Sequence, residues 1–70
     1  MRITCHAART IAEWPTGTKF RVNSAVLYTK IGDGNALNTF RVKTFRDGKE
    51  REVSLTVQPS DTITLVRFPA

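Results

Sequence analysis

Cys5 and His6 are the residues whose chemistry most often serves nucleophilic catalysis, and the chain has one of each. A Cys–His enzyme needs thiolate and imidazole in contact, with a third group orienting the base. Neighbours on a strand point to opposite faces, and on a helix they diverge by about 100°. Neither geometry pairs the two. As metal ligands they are two where structural zinc takes four, so no metal site follows. Six carboxylates remain: Glu13, Asp33, Asp47, Glu50, Glu52 and Asp61. A hydrolytic pair needs two carboxyls in a cleft with separated pKa values. Asp47 and Asp61 instead sit in turn sequences. Glu50 and Glu52 lie two apart and share one strand face, where the cations of a facing strand are their natural partners. No nucleophile or acid–base pair can be assembled, so an enzyme is not expected.

The cofactor motifs are equally absent. In "KIGDGNALNTFRVK" (residues 30–43), Asp33 lacks the companion oxygens of a calcium loop. Its glycines lack the lysine-and-hydroxyl ending of a phosphate-binding loop. Gly32, Gly34, Asn35 and Asn38 read as residues that tolerate a long turn, with Leu37 expected to fold back onto the core. No cofactor is implied.

A set of cations and aromatics offers more. Alternation places Lys19, Arg21, Arg41 and Lys43 on outward strand faces. Phe45 continues the parity of Arg41 and Lys43, and Tyr28 shares a parity with Lys30 on another strand. Cations beside exposed rings on a sheet suit single-stranded nucleic acid, with phosphates meeting the cations and bases stacking on the rings. Lys19, Arg21, Tyr28, Arg41, Lys43 and Phe45 are therefore the candidate nucleic-acid-binding residues. No helix-turn-helix pattern or zinc-finger spacing accompanies them.

The charge balance agrees. Eleven Lys/Arg against six Asp/Glu give a net +5 and a pI near 10.2. Such a balance favours polyanionic partners. The bias is uneven: residues 1–30 hold five cations and one acid, residues 31–70 six and five. The rival reading is a protein–protein module, such as a small inhibitor, adaptor or oligomer subunit, whose partner is an acidic protein surface or a second copy. Its basis is size. Seventy residues bury only about 60% of the surface the unfolded chain exposes, and small folds usually need a staple or a partner. Cys5 is alone, so no disulfide forms within the chain. A lone cysteine and no apolar leader fit a cytoplasmic setting. No apolar run approaches the ~20 residues of a membrane-spanning helix, so membrane insertion is not expected.

The elements that must position these residues are mostly strands, in one domain spanning residues 1–70. Period-two alternation runs through "TKFRV", "NTFRVKTF" and "EVSLTVQ", and through "TITLVRF" until it blurs at Val66. "SAVLYTKI" is apolar enough to be a central strand. Turn chemistry separates the runs. "PTGT" precedes the first strong strand, "RDGK" predicts a tight hairpin with positive φ at Asp47 and Gly48, and "QPSD" forms a further turn. Asn23–Ser24 reads as a bulge or bend that lets a long strand turn a corner. Near the N-terminus, Ile3, Ala7, Ile11 and Trp14 recur at helical spacing, ended by Pro15 and Gly17. The reading is a strand near Arg2–Cys5 followed by a short helical turn, with Trp14 plugging one end of the core. The expected fold is mainly β: a five-stranded antiparallel small barrel or strongly bent sheet, with room for one short N-terminal helix. "PTGTKFRV" looks like the turn-then-strand start of SH3-like and related small barrels, too short a stretch to carry family identity.

Overall fold

Residues 6–69 are described by the computed structural model. The helical spacing near the N-terminus produces α1 (His6–Glu13), and the strand expected at Arg2–Cys5 lies outside the described residues. Eight residues are too few for a helix to persist alone in water. Two tertiary contacts hold it. Ala8 and Ile11 are buried and join a core of Phe20, Phe40, Val42 and Val57, with Trp14, Val22, Tyr28, Leu55 and Ile63 packed around it. Burying a side chain such as Phe20 or Val42 contributes roughly 1.5–3 kcal/mol.

The second contact is Lys30. α1 carries no basic residue in its last turn, so its final carbonyls lack the positive charge that favours a helix C-terminus. Lys30 lies on a strand and is only 5% exposed. Its Nζ donates to the carbonyls of Ile11 at 2.9 Å, Trp14 at 2.8 Å and Ala12 at 3.3 Å. Three ammonium hydrogens thus meet three acceptors. The backbone of Lys30 is also engaged: its N–H donates to Thr18 and its carbonyl accepts from Gly17. One residue therefore ties the helix end and the Pro15–Thr18 turn to the sheet.

Five antiparallel strands follow: β1 (Lys19–Val22), β2 (Leu27–Asp33), β3 (Thr39–Arg46), β4 (Lys49–Thr56) and β5 (Ile63–Arg67). They form one sheet in the order β4-β3-β2-β1-β5, with β2 central as its apolar sequence suggests. Among the described residues the sheet is not closed, and β4 and β5 are its edges. Asp47 and Gly48 have φ of 55° and 76°, the two positive angles that the "RDGK" turn demands. Asn23 and Ser24 also have positive φ, 54° and 58°. They do not bend one strand but reverse the chain between β1 and β2, closed by Ala25 N–H to the Val22 carbonyl at 3.1 Å. The β1–β5 register shifts between Lys19 and Phe20, opposite the place where alternation fails at Val66.

Leu37 does not fold back onto the core; it is 40% exposed. The loop is pulled tight by Gly34 N–H to the Thr39 carbonyl and Thr39 N–H to the Ala36 carbonyl, which leaves Leu37 at its tip. A Cβ on Gly34 would lie 2.7–2.9 Å from Thr39 atoms, so this glycine serves close packing. Trp14 closes one end of the core as expected, its ring 5.5 Å from Phe20 and 6.5 Å from Phe68.

The "QPSD" turn is built around Asp61. Its Oδ2 accepts the Gln58 backbone N–H at 2.8 Å and its Oδ1 the Asn23 amide at 3.1 Å. The backbone bond first, and the amide second, hold its carboxyl below the ordinary aspartate value of 3.8. A depressed folded-state pKa means stability that is present above the unfolded value and lost as pH falls through the folded one. The stability gap between wild type and Asp61→Asn is therefore expected to be constant at neutral pH and to shrink below about pH 4. Thermal melts of both proteins from pH 7 to pH 2 measure it; a gap that does not change with pH refutes the assignment.

Candidate nucleic-acid interface

The ladder registers assign each charged strand residue to a face. Lys43 stands opposite Glu52, Arg41 opposite Ser54 and Phe45 opposite Glu50. Lys19 stands opposite Thr29, and Thr29 opposite Lys43. Directly opposed residues share a face. Lys19, Arg21, Arg41, Lys43 and Phe45 thus lie together on the outer face, away from α1. Tyr28 does not; it faces Phe20 across the ladder and packs on its ring at 5.9 Å on the core face.

The outer-face cations have partners. Arg41 donates through Nε and Nη2 to Glu52 at 3.0 and 2.8 Å, and Lys43 lies 3.7 Å from Glu50. Lys19 donates to the Thr29 hydroxyl and Arg21 to the Ala25 carbonyl. The acids expected to serve as cross-strand partners do so, and they cancel the charge of β3 and β4 on this face. The pairing adds little stability, because Arg41 and Glu52 are about half exposed. Glu52→Gln is expected to cost less than about 1 kcal/mol, which a thermal melt would register as a few degrees at most.

The core face differs at the end reached by the β3–β4 turn. Arg46 stands opposite Lys49, and Thr44 opposite Arg51. All three cations are exposed. Among the described residues, none has a carboxylate within ion-pair distance. Directly opposed like charges destabilise a hairpin by a few tenths of a kcal/mol, up to about 1. Arg46 and Lys49 bear that cost at the pair that closes the turn. The outer face of the same two strands has an acid beside each cation, and the core face has none.

Next to this trio is a hollow of about 270 Å³ lined by Val26, Tyr28, Thr44, Phe45, Arg46 and Val53. Phe45 is 69% exposed. A row across the sheet runs Phe20, Tyr28, Thr44, Arg51, from apolar core to aromatic to cation. Tyr28 therefore stands between the core and the cation trio. A larger hollow of about 420 Å³ opens between α1 and β5 and includes His6 and Asp61. Asp61's carboxylate is already engaged in its turn.

Alternation from Arg41 draws attention to the outer face and misses Arg46, Lys49 and Arg51. A signal for them exists. A two-residue turn at Asp47–Gly48 makes Arg46 and Lys49 direct partners, and Arg51 shares the face of Lys49. Among the described residues no cluster of three metal-capable side chains occurs, and no helix is long and apolar enough to cross a membrane. No protein family, curated protein or solved structure matches the chain.

Proposed function

We propose that this protein is a small nucleic-acid-binding module. Its binding site is the basic corner of the core face, where Arg46, Lys49 and Arg51 meet phosphates and the hollow beside Tyr28 takes a base. The observation that carries the reading is the trio without an ion-pair partner among the described residues: three cations on one face of one hairpin, with Glu50 and Glu52 of the same hairpin engaged on the other face. Cations bordering a partly apolar, aromatic hollow favour a single strand, whose unstacked bases can enter it. Lys19 and Arg21 extend the positive field on the outer face, and Arg41 and Lys43 contribute less because Glu52 and Glu50 are beside them.

Fluorescence anisotropy with labelled single-stranded and duplex oligonucleotides, titrated across salt, tests the proposal. Single strands are expected to bind more tightly. Each phosphate contact lowers the log–log slope of affinity against salt by about 0.7. Absence of binding at low salt would sink it.

A further inference from the structure

Directly opposed like charges occur at a second place in the sheet. Lys19 on β1 stands opposite Arg67 on β5, and Arg21 lies two residues along β1 on the same face. A bulge makes this pairing. Phe20 pairs with Leu65 but Lys19 with Arg67, so Val66 is the extra residue and two residues of β5 oppose one of β1. Leu65 shares the core face with Phe20. Strict alternation would put Arg67 on that face too; the bulge turns it to the outer face instead. Phe68 follows on the core side, edge-on to Trp14 at 6.5 Å. Arg21 and Arg67 are exposed and Lys19 is half-buried. Lys19 donates to the Thr29 hydroxyl at 3.1 Å and Arg21 to the Ala25 carbonyl at 2.9 Å. Both acceptors are neutral, so neither cancels a charge. Among the described residues no carboxylate is within ion-pair distance of any of the three. The outer-face acids Glu50 and Glu52 are on β4, three strand spacings from β1. That is about 14 Å at roughly 4.8 Å per spacing, beyond the screening length of roughly 10 Å in 0.1 M salt.

We propose that the outer face of β1 and β5 is a second phosphate-binding site, so that one molecule holds two nucleic-acid strands, one on each face of the sheet. This second site rests on the nucleic-acid reading of the basic corner and adds a partner to it. Two arrangements support it. First, both trios have the same plan. Each has a directly opposed pair of cations, Arg46 with Lys49 and Lys19 with Arg67, and an arginine two residues along one strand, Arg51 and Arg21. Each retains a repulsion that a single acid would relieve, and a phosphate set between the opposed side chains relieves it in the same way. Second, the two sites do not compete for one segment of nucleic acid. The corner is on the core face at β3 and β4. The second trio is on the outer face, and β5 is four strand spacings from β4, about 19 Å. The other ladder partners of Lys19 and Arg21 are Thr29, Leu27 and Thr64, none of them aromatic. Contact there is with phosphates, which makes this the weaker site and one indifferent to base sequence. A nucleic-acid strand held on it is joined, through the protein, to the one at the corner.

Short oligothymidylates labelled with either a donor or an acceptor dye, mixed with the full chain at low salt, give the test. Energy transfer between the two labels should rise as protein is added. It should fall again once protein exceeds DNA, because each oligonucleotide then has a corner site of its own. Sedimentation velocity at the peak should show two oligonucleotides on one chain, rather than two on a pair of chains. The triple variant Lys19→Gln, Arg21→Gln, Arg67→Gln should abolish the transfer and reduce the count to one. Because a triple variant can fail to fold, two single changes at an exposed position give a second measurement. Arg67→Lys keeps the charge and should keep the transfer. Arg67→Glu sets an acid opposite Lys19 and should remove most of it. Unchanged anisotropy of the labelled strands at low salt overturns the basic corner and the second site together. One oligonucleotide per chain, with no transfer at any ratio, overturns the second site alone. So does transfer that survives in the folded triple variant or in Arg67→Glu.

Discussion

Lys30→Met is expected to destabilise the protein by about 3–5 kcal/mol, because it removes three charge-assisted hydrogen bonds to carbonyls that are buried or partly buried. Methionine matches the length of the stem and fills the channel, so the loss isolates the amine. The carbonyls of Ile11, Ala12 and Trp14 would lose the amine, and Ile11 would keep only the Trp14 N–H at 3.1 Å. Domains are stable by only about 5–15 kcal/mol, small ones by less. The variant should therefore melt roughly 15–30 °C lower, and α1 should lose its helical signal. Lys30→Arg should not rescue it. A planar guanidinium cannot aim three N–H groups at three carbonyls converging on one point. Urea and thermal denaturation followed by circular dichroism measure the effect. A loss below about 1 kcal/mol would place the cap among ordinary exposed contacts and refute the role given to it. The contrast with Glu52→Gln is the internal check: a lysine only 5% exposed against a carboxylate half in water.

The second large effect concerns binding. The triple variant Arg46→Ala, Lys49→Ala, Arg51→Ala should lose most nucleic-acid affinity at low salt. Its salt slope should fall by about 2, three contacts at about 0.7 each. Between 50 and 200 mM salt, three such contacts correspond to roughly a 20-fold change in affinity, which the variant would no longer show. Its fold should not weaken, because relieving the repulsion of opposed Arg46 and Lys49 is neutral or slightly stabilising. Arg41→Ala with Lys43→Ala should cost less affinity, because those side chains are already committed to Glu52 and Glu50. If the outer-face pair costs more than the trio, the site is on the outer face and the proposal is wrong. Anisotropy titrations of the three proteins at four salt concentrations decide between them.

Much of the fold is legible in the sequence. Period-two alternation locates the strands, Asp47–Gly48 marks its hairpin, and the blur at Val66 coincides with an irregular register. Such features are local, and they read well because backbone geometry depends on neighbouring residues. Asn23–Ser24 is misread as a bend, because neither residue is glycine and positive φ is uncommon in other residues. Leu37 is misread because an apolar residue in a polar loop looks like an anchor, while the bond from Gly34 to Thr39 holds it at the tip. Lys30 is the hardest to foresee. A lysine on the inward parity of a central strand looks like an error of register unless the helix end it serves is known to lie beside it. The proposed binding corner falls in between. Alternation assigns its residues to a face, but only the cross-strand register shows that Arg41 and Lys43 have acids beside them while Arg46, Lys49 and Arg51 have none.

The helix cap also has a consequence for how the chain is made. Residues 6–14 leave the ribosome well before residue 30. Until β2 arrives, the last carbonyls of α1 have no cationic cap and its apolar face has no sheet to cover. An eight-residue segment cannot stay helical under those conditions. The first of the described elements must therefore acquire its structure late, templated by the hairpins that follow it. Synthesis in order does not mean folding in order here, because the first segment waits for a lysine from the third.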